Sequence, residues 1–124
     1  MRTIKFRAWS TTNKKFYYRV LVGNTENDDP CSSIWDEDEK TWKEFAKFCG
    51  IIQQFTGLKD SKGVEIYEGD IVKRLNTEYI YEVVYNEENA TYFLQNKDTE
   101  GPLSYYRKVV EVAGNIFENS ELLK

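Results

Sequence analysis

The sequence has no histidine, only two cysteines and two prolines, and no long apolar run. Each shortage excludes something. Without imidazole there is no Ser-His or Cys-His nucleophile pair, no zinc site of ordinary composition, and none of the side chain that most often carries general acid-base chemistry near neutral pH. Cys31 and Cys49 are too few for a disulfide scaffold and read as free thiols. No stretch approaches the ~20 apolar residues of a membrane-spanning helix, and the opening MRTIKFR lacks the apolar segment of a signal peptide. The expectation is a cytoplasmic, non-enzymatic protein with no catalytic residue, metal site, cofactor or membrane contact.

What is present suffices for a core. A chain of 124 residues that is 40% hydrophobic and 15% aromatic carries too much core-forming surface to be disordered, and its length fits a single domain, residues 1–124. Net charge is -4 but unevenly placed: residues 1–25 hold Arg2, Lys5, Arg7, Lys14, Lys15 and Arg19 and no acid, while residues 26–124 hold 11 bases against 21 acids. These six cations are the candidate contact set, either for nucleic-acid phosphate or for the acidic remainder of the protein, in the same or a neighbouring subunit. The second is favoured because a dense acidic run follows so closely.

Along the chain, Ile4, Phe6 and Ala8 alternate with Lys5 and Arg7. After a turn at Ser10–Asn13, Phe16, Tyr18, Val20 and Val22 alternate with Tyr17 and Arg19. This is the pattern of a hairpin with one apolar and one basic face. Residues 23–30 gather loop formers, acids and Pro30 and read as a mobile loop. Residues 33–49 are ambiguous: Trp35, Trp42, Phe45, Ala46 and Cys49 fit a helical stripe, favouring a short helix from about Lys40 to Cys49 capped by Asp38, while Asp36–Glu39 could instead turn a Trp-flanked hairpin. From Ile51 the spacing is that of short strands at 51–56, 64–66, 70–75, 79–85, 91–95 and 109–117, with a last helical turn at 119–123. Residues 51–124 thus read as an antiparallel meander closing into a small barrel, and residues 1–50 as the hairpin, the acidic loop and the short helix.

Residues 54–72, QFTGLKDSKGVEIYEGDIV, set two turn signals among three apolar runs. With the opening IKFRAW of residues 4–9 and the closing VAGNIFENSELL of residues 112–123, this block resembles the YopX family, small proteins of phages and prophages of Gram-positive bacteria. The resemblance implies a mainly β fold with an SH3-type barrel in the second half, no active-site residues to carry over, and no established biochemical role. Ala113 and Phe117 depart mildly from the family pattern, and residues 23–49 resemble it least.

Other candidates have plain structural readings. Glu65, Glu68 and Asp70 flank a corner and could gather a cation, but nothing resembles a calcium loop, and an acid opening a strand serves nearby backbone N–H groups. Gly57, Gly63 and Gly69 suit turns and form no phosphate cradle. The acids Asp36–Glu39, with Glu26, Asp28 and Asp29, read first as a solvated loop. Trp9, Tyr79, Tyr81, Tyr85 and Tyr92, with Tyr105 and Tyr106, are candidate interface aromatics; base stacking on them is opposed by Glu82, Glu87 and Glu88 and by the lack of any cation between Tyr79 and Tyr92. The leading expectation is a homo-oligomer that binds a host or phage protein, with nucleic-acid binding through the basic hairpin as the alternative.

Overall fold

The computed structural model describes residues 2–24, 30–44 and 50–124. Among them are twelve strands: β1 (Phe6–Ser10), β2 (Lys15–Tyr17), β3 (Val20–Asn24), β4 (Pro30–Asp36), β5 (Thr41–Glu44), β6 (Gly50–Lys59), β7 (Glu65–Tyr67), β8 (Asp70–Arg74), β9 (Ile80–Asn86), β10 (Thr91–Gln95), β11 (Glu100–Pro102) and β12 (Val110–Asn115). One helix, α1 (Leu103–Tyr106), lies between β11 and β12. The fold is mainly β, and its contacts divide into one unit of Thr3–Gln54 and another of Phe55–Lys124 with Arg2. Among the described residues no helix is long and apolar enough to cross a membrane.

In the first unit β1 pairs with β2, Ala8 opposite Tyr17, and on its other side with the first half of β6, Ala8 opposite Ile52. The expected turn after Ser10 forms: Ser10 Oγ accepts from Asn13 N, Ser10 O accepts from Lys14 N, and Lys14 takes the left-handed φ of 54° that reverses the chain. The expected second strand does not run unbroken from Phe16 to Val22. It stops at Tyr17, and after the bend at Tyr18–Arg19 the chain enters β3, which belongs to a separate antiparallel sheet ordered β3-β4-β5.

Side chains directly opposite one another share a face of a sheet. Val20 opposes Ile34, and both pack with Ala8, Tyr17 and Ile52 in a small core. Leu21 opposes Ser33, and Trp35 opposes Trp42, so these occupy the other face.

The helix expected from Lys40 to Cys49 is not formed where the structure describes it. Thr41–Glu44 is strand β5, and residues 45–49 lie outside the described residues. The cause is local. Asp36 Oδ1 accepts from the backbone N–H of Asp38 and of Glu39, Lys40 takes φ 53°, and the reversal sets Trp35 against Trp42 across the hairpin. Of the loop expected at residues 23–30, Gly23 and Asn24 finish β3 and Pro30 opens β4; Glu26, Asp28 and Asp29 lie outside the described residues.

In the second unit, the second half of β6 pairs with β7 across a register shift, and five strands form a curled half-barrel sheet ordered β11-β10-β9-β8-β12. Ile66, Val72, Val83, Leu94, Leu103 and Val110 are fully buried inside it, each worth about 1.5–3 kcal/mol of transfer free energy. The strands expected from residue 51 onward are all present, with ends shifted by up to three residues. Two elements in the stretch read as plain connection were missed: β11 and α1. Pro102 is compatible with β11 because that strand is an edge, and α1 adds the buried Leu103 to the core.

Candidate functional site

The six cations of the N-terminal stretch do not form one basic face. Arg7 is buried: its Nε donates to Gln53 Oε1 at 2.9 Å, and its guanidinium lies 4.2 Å from the centre of the Phe16 ring. The strand carrying it has neighbours on both edges, which is why simple alternation misplaced it. Arg7 therefore leaves the set that could touch phosphate. Trp9, also buried and set edge-on to Phe16, leaves the set of surface aromatics. Lys14 and Lys15 are exposed at the hairpin tip, Lys15 lying over the Tyr17 ring; Lys5 is half-buried, and Arg2 is exposed.

Arg19 does something sequence reasoning missed. Its guanidinium stacks 4.3 Å from the Trp35 ring and 5.6 Å from the Trp42 ring, while the two indoles meet edge-to-face at 5.4 Å. The result is an aromatic and cationic platform on the outer face of β3-β4-β5. Trp42 is 39% and Leu21 57% exposed there, whereas Nε1 of Trp35 is covered and has no hydrogen-bond partner among the described residues. The spacing of Trp35 and Trp42 about a four-residue acidic turn was the available signal.

The acidic run beside it is partly neutralised by two lysines. Lys43 reaches Asp36 at 3.0 Å and Glu39 at 2.8 Å, and Lys40 reaches Glu37 at 3.3 Å. The backbone N–H of Glu39 first, and then Lys43, hold the Asp36 carboxyl below its ordinary value, and Glu39 and Asp36 raise Lys43.

The tyrosines of the second unit separate into two groups. Tyr85 and Tyr92 are cross-strand partners with ring centres 5.2 Å apart. Burial, then the charge of Glu68 and the neighbouring Tyr85, pushes Tyr92 up to about 12, against a smaller opposing effect from Arg2, so its phenol stays neutral. Tyr79, Tyr81 and Tyr106 instead line a cavity of about 400 Å³ with Arg74, Asp98 and Glu100. These six residues come from separate elements, and only the i, i+2 spacing of Tyr79 and Tyr81 hinted that two of them share a face.

The carboxylates and glycines of residues 54–72 are framework. Asp60 Oδ1 accepts from the N–H of Lys62 and of Val64, at 2.8 and 2.9 Å, and Oδ2 accepts from Val112 N at 2.8 Å, tying the turn to β12. Burial alone would push this carboxyl up; the N–H donors of Val112, Val64 and Lys62 outweigh it and hold it below its usual value. Asp70 Oδ2 accepts from Tyr67 N across the second corner, where Gly69 has φ 85°. In the closing motif, Asn115 Oδ1 accepts from Phe117 N and Glu118 N, and a Cβ at Gly114 would stand 2.5 Å from Asn119 Oδ1. Among the described residues no three Cys, Asp or Glu side chains are grouped to hold a metal ion.

The family model for the YopX protein matches residues 5–124. The chain belongs to the YopX family. Its fold is similar to the crystal structure of protein EF1440 from Enterococcus faecalis, with a TM-score of 0.71 and 29% identity over 100% of both chains. It is also similar to the crystal structure of yopX from Bacillus subtilis, with a TM-score of 0.64 and 16% identity over 100% of this chain and 98% of that one. No curated protein matches the chain. The quoted motifs of this YopX-family chain coincide with the bonds just described: Asp60, Asp70, Gly69, Gly114 and Asn115 are turn and corner residues.

Proposed function

We propose that this chain is a non-enzymatic accessory protein of a phage or prophage that acts in the host cytoplasm as a self-associating protein-interaction module. The outer face of β3-β4-β5 is the surface on which a second copy docks. One observation carries the reading: Arg19 stacks on Trp35 and Trp42, and Arg19, Trp42 and Leu21 are left in solvent on that face. Tryptophan and arginine in such clusters are the side chains on which protein interfaces concentrate their energy. β3 and β5 are both edges of their sheet among the described residues, so a second copy related by a two-fold axis could add its own edge beside either one.

The half-barrel of the second unit, in which β12 returns beside β8, supports an SH3-type barrel as its closed form. The lack of histidine supports a role in binding rather than catalysis.

Size-exclusion chromatography with light scattering tests the assembly. The intact chain should elute as a multiple of its single-chain mass, and Trp42→Ala with Leu21→Asp should shift it to the monomer. A strict monomer at low and high salt overturns it.

Nucleic-acid binding by the basic hairpin is the alternative, favoured by Lys14 and Lys15 at its exposed tip and by a platform on which bases could stack, and weakened by the burial of Arg7. Affinity would then fall steeply with salt and drop in Lys14→Glu with Lys15→Glu; no binding at ~50 mM salt rejects it.

A further inference from the structure

The cavity of the second unit, about 400 Å³, has a polarity the assembly reading does not use. Its volume falls within the range of ligand sites, roughly 300–1,000 Å³. Tyr79, Tyr81 and Tyr106 give it aromatic walls, and Arg74, Asp98 and Glu100 line the same space. Among the described residues none of these three charged side chains makes an ion pair, with one another or with anything else, although all face one cavity. The guanidinium therefore stands more than 4 Å from either carboxylate, and the cavity carries both signs of charge beside its phenol rings.

The turn that carries Asp98 is held in place: Asn96 Oδ1 accepts from Asp98 N and Thr99 N, and Asn96 Nδ2 donates to the carbonyl of Ile80. A second groove, about 510 Å³, shares Tyr79, Asn96 and Asp98 with the cavity, but its lining at Glu82 and Gln95 is on the opposite face of β9 and β10, and Lys97 and Lys124 stand there beside Glu78 and Glu82.

We propose that this cavity binds the C-terminal end of a partner peptide whose last residue carries a basic side chain. The terminal carboxylate lies on Arg74, a pairing that a guanidinium makes bidentately. The basic side chain runs along the tyrosine rings, where a cation is attracted to the ring face, and ends between Asp98 and Glu100. A ligand carrying one charge only would leave the cavity's charge of the other sign unmatched. Arg74, Asp98 and Glu100 are all exposed, so the cavity opens to solvent beside them and leaves room for the residues that precede the terminus; this favours a peptide over a free amino acid.

The test is an NMR titration of the full chain with acetyl-Gly-Arg bearing a free carboxylate, the same dipeptide as its C-terminal amide, acetyl-Gly-citrulline with a free carboxylate, and free arginine. Acetyl-Gly-Arg should bind with a Kd on the order of 1 mM, and the other three at least about fivefold more weakly. Tyr79→Ala should weaken it by about threefold or more. In Arg74→Gln the acid and the amide should bind alike, and in Asp98→Asn with Glu100→Gln the arginine and citrulline forms should bind alike; a merely structural role would not produce either result. The oligomeric state should be unchanged in all of these variants, which separates this site from the platform on β3-β4-β5. Equal binding of all four probes, a preference for the acid that persists in Arg74→Gln, free arginine binding as tightly as the dipeptide, or no response at roughly 10 mM would overturn the proposal.

Discussion

The two units handle their apolar surface in opposite ways. The second closes six fully buried aliphatic residues inside a curled sheet and spends its buried carboxylates on backbone N–H groups. Among the described residues, the first buries only Ala8, Trp9 and Ile34 of its apolar side chains, and leaves Tyr18, Leu21 and Trp42 in solvent. That aromatic, exposed face is the one the proposed assembly would cover. The second unit is a finished fold with a cavity in it; the first reads as half of an interface.

The largest effect should come from breaking the finished unit. Asp60→Ala leaves the N–H groups of Lys62, Val64 and Val112 without their acceptor, which should cost roughly 3 kcal/mol and lower the thermal midpoint by on the order of 10 °C. An equal loss on Trp42→Ala would erase the distinction between the units, because Trp42 is predicted to matter for association instead, at about 2 kcal/mol of dimer affinity by sedimentation. The second unit should also weaken in acid. Because Asp60 is held below its ordinary value, the stability it contributes is complete above the unfolded carboxylate range near ~4 and is lost as pH falls through the lower folded value. Thermal melts between about pH 5 and 2 should show this loss, and Asp60→Asn should flatten it.

Glu82 provides the smallest effect and the opposite sign. Burial pushes its carboxyl up, so the folded chain keeps that proton longer and stability declines as pH rises through the window above ~4.3. Glu82→Gln should remove that decline and gain no more than about 0.5 kcal/mol at neutral pH.

The legibility of the fold follows the same division. Strands from residue 51 onward could be read because glycines and local acids punctuate them, and the bonds of Asp60 and Asp70 within their own turns are short-range chemistry. The reach of Asp60 to Val112, 52 residues away, left no local trace. Trp35 and Trp42 were seen but assigned to a helical stripe, since a seven-residue spacing suits two helical turns as well as two sides of a hairpin; Asp36 and the left-handed Lys40 decided between them. Arg7 was misplaced because alternation reports a face without reporting what covers it. The cavity could not be read at all, as Arg74, Asp98 and Glu100 come together only in three dimensions.

The central claim is that the first unit is completed by a second copy and the second unit is not. Amide hydrogen exchange of the intact chain, followed as protein concentration is raised, measures this directly. Amides of β3, β4 and β5 should gain protection with concentration, as mass action requires of an interface, while those of β8, β9 and β10 stay constant. Protection of β3 to β5 that is independent of concentration would contradict the account.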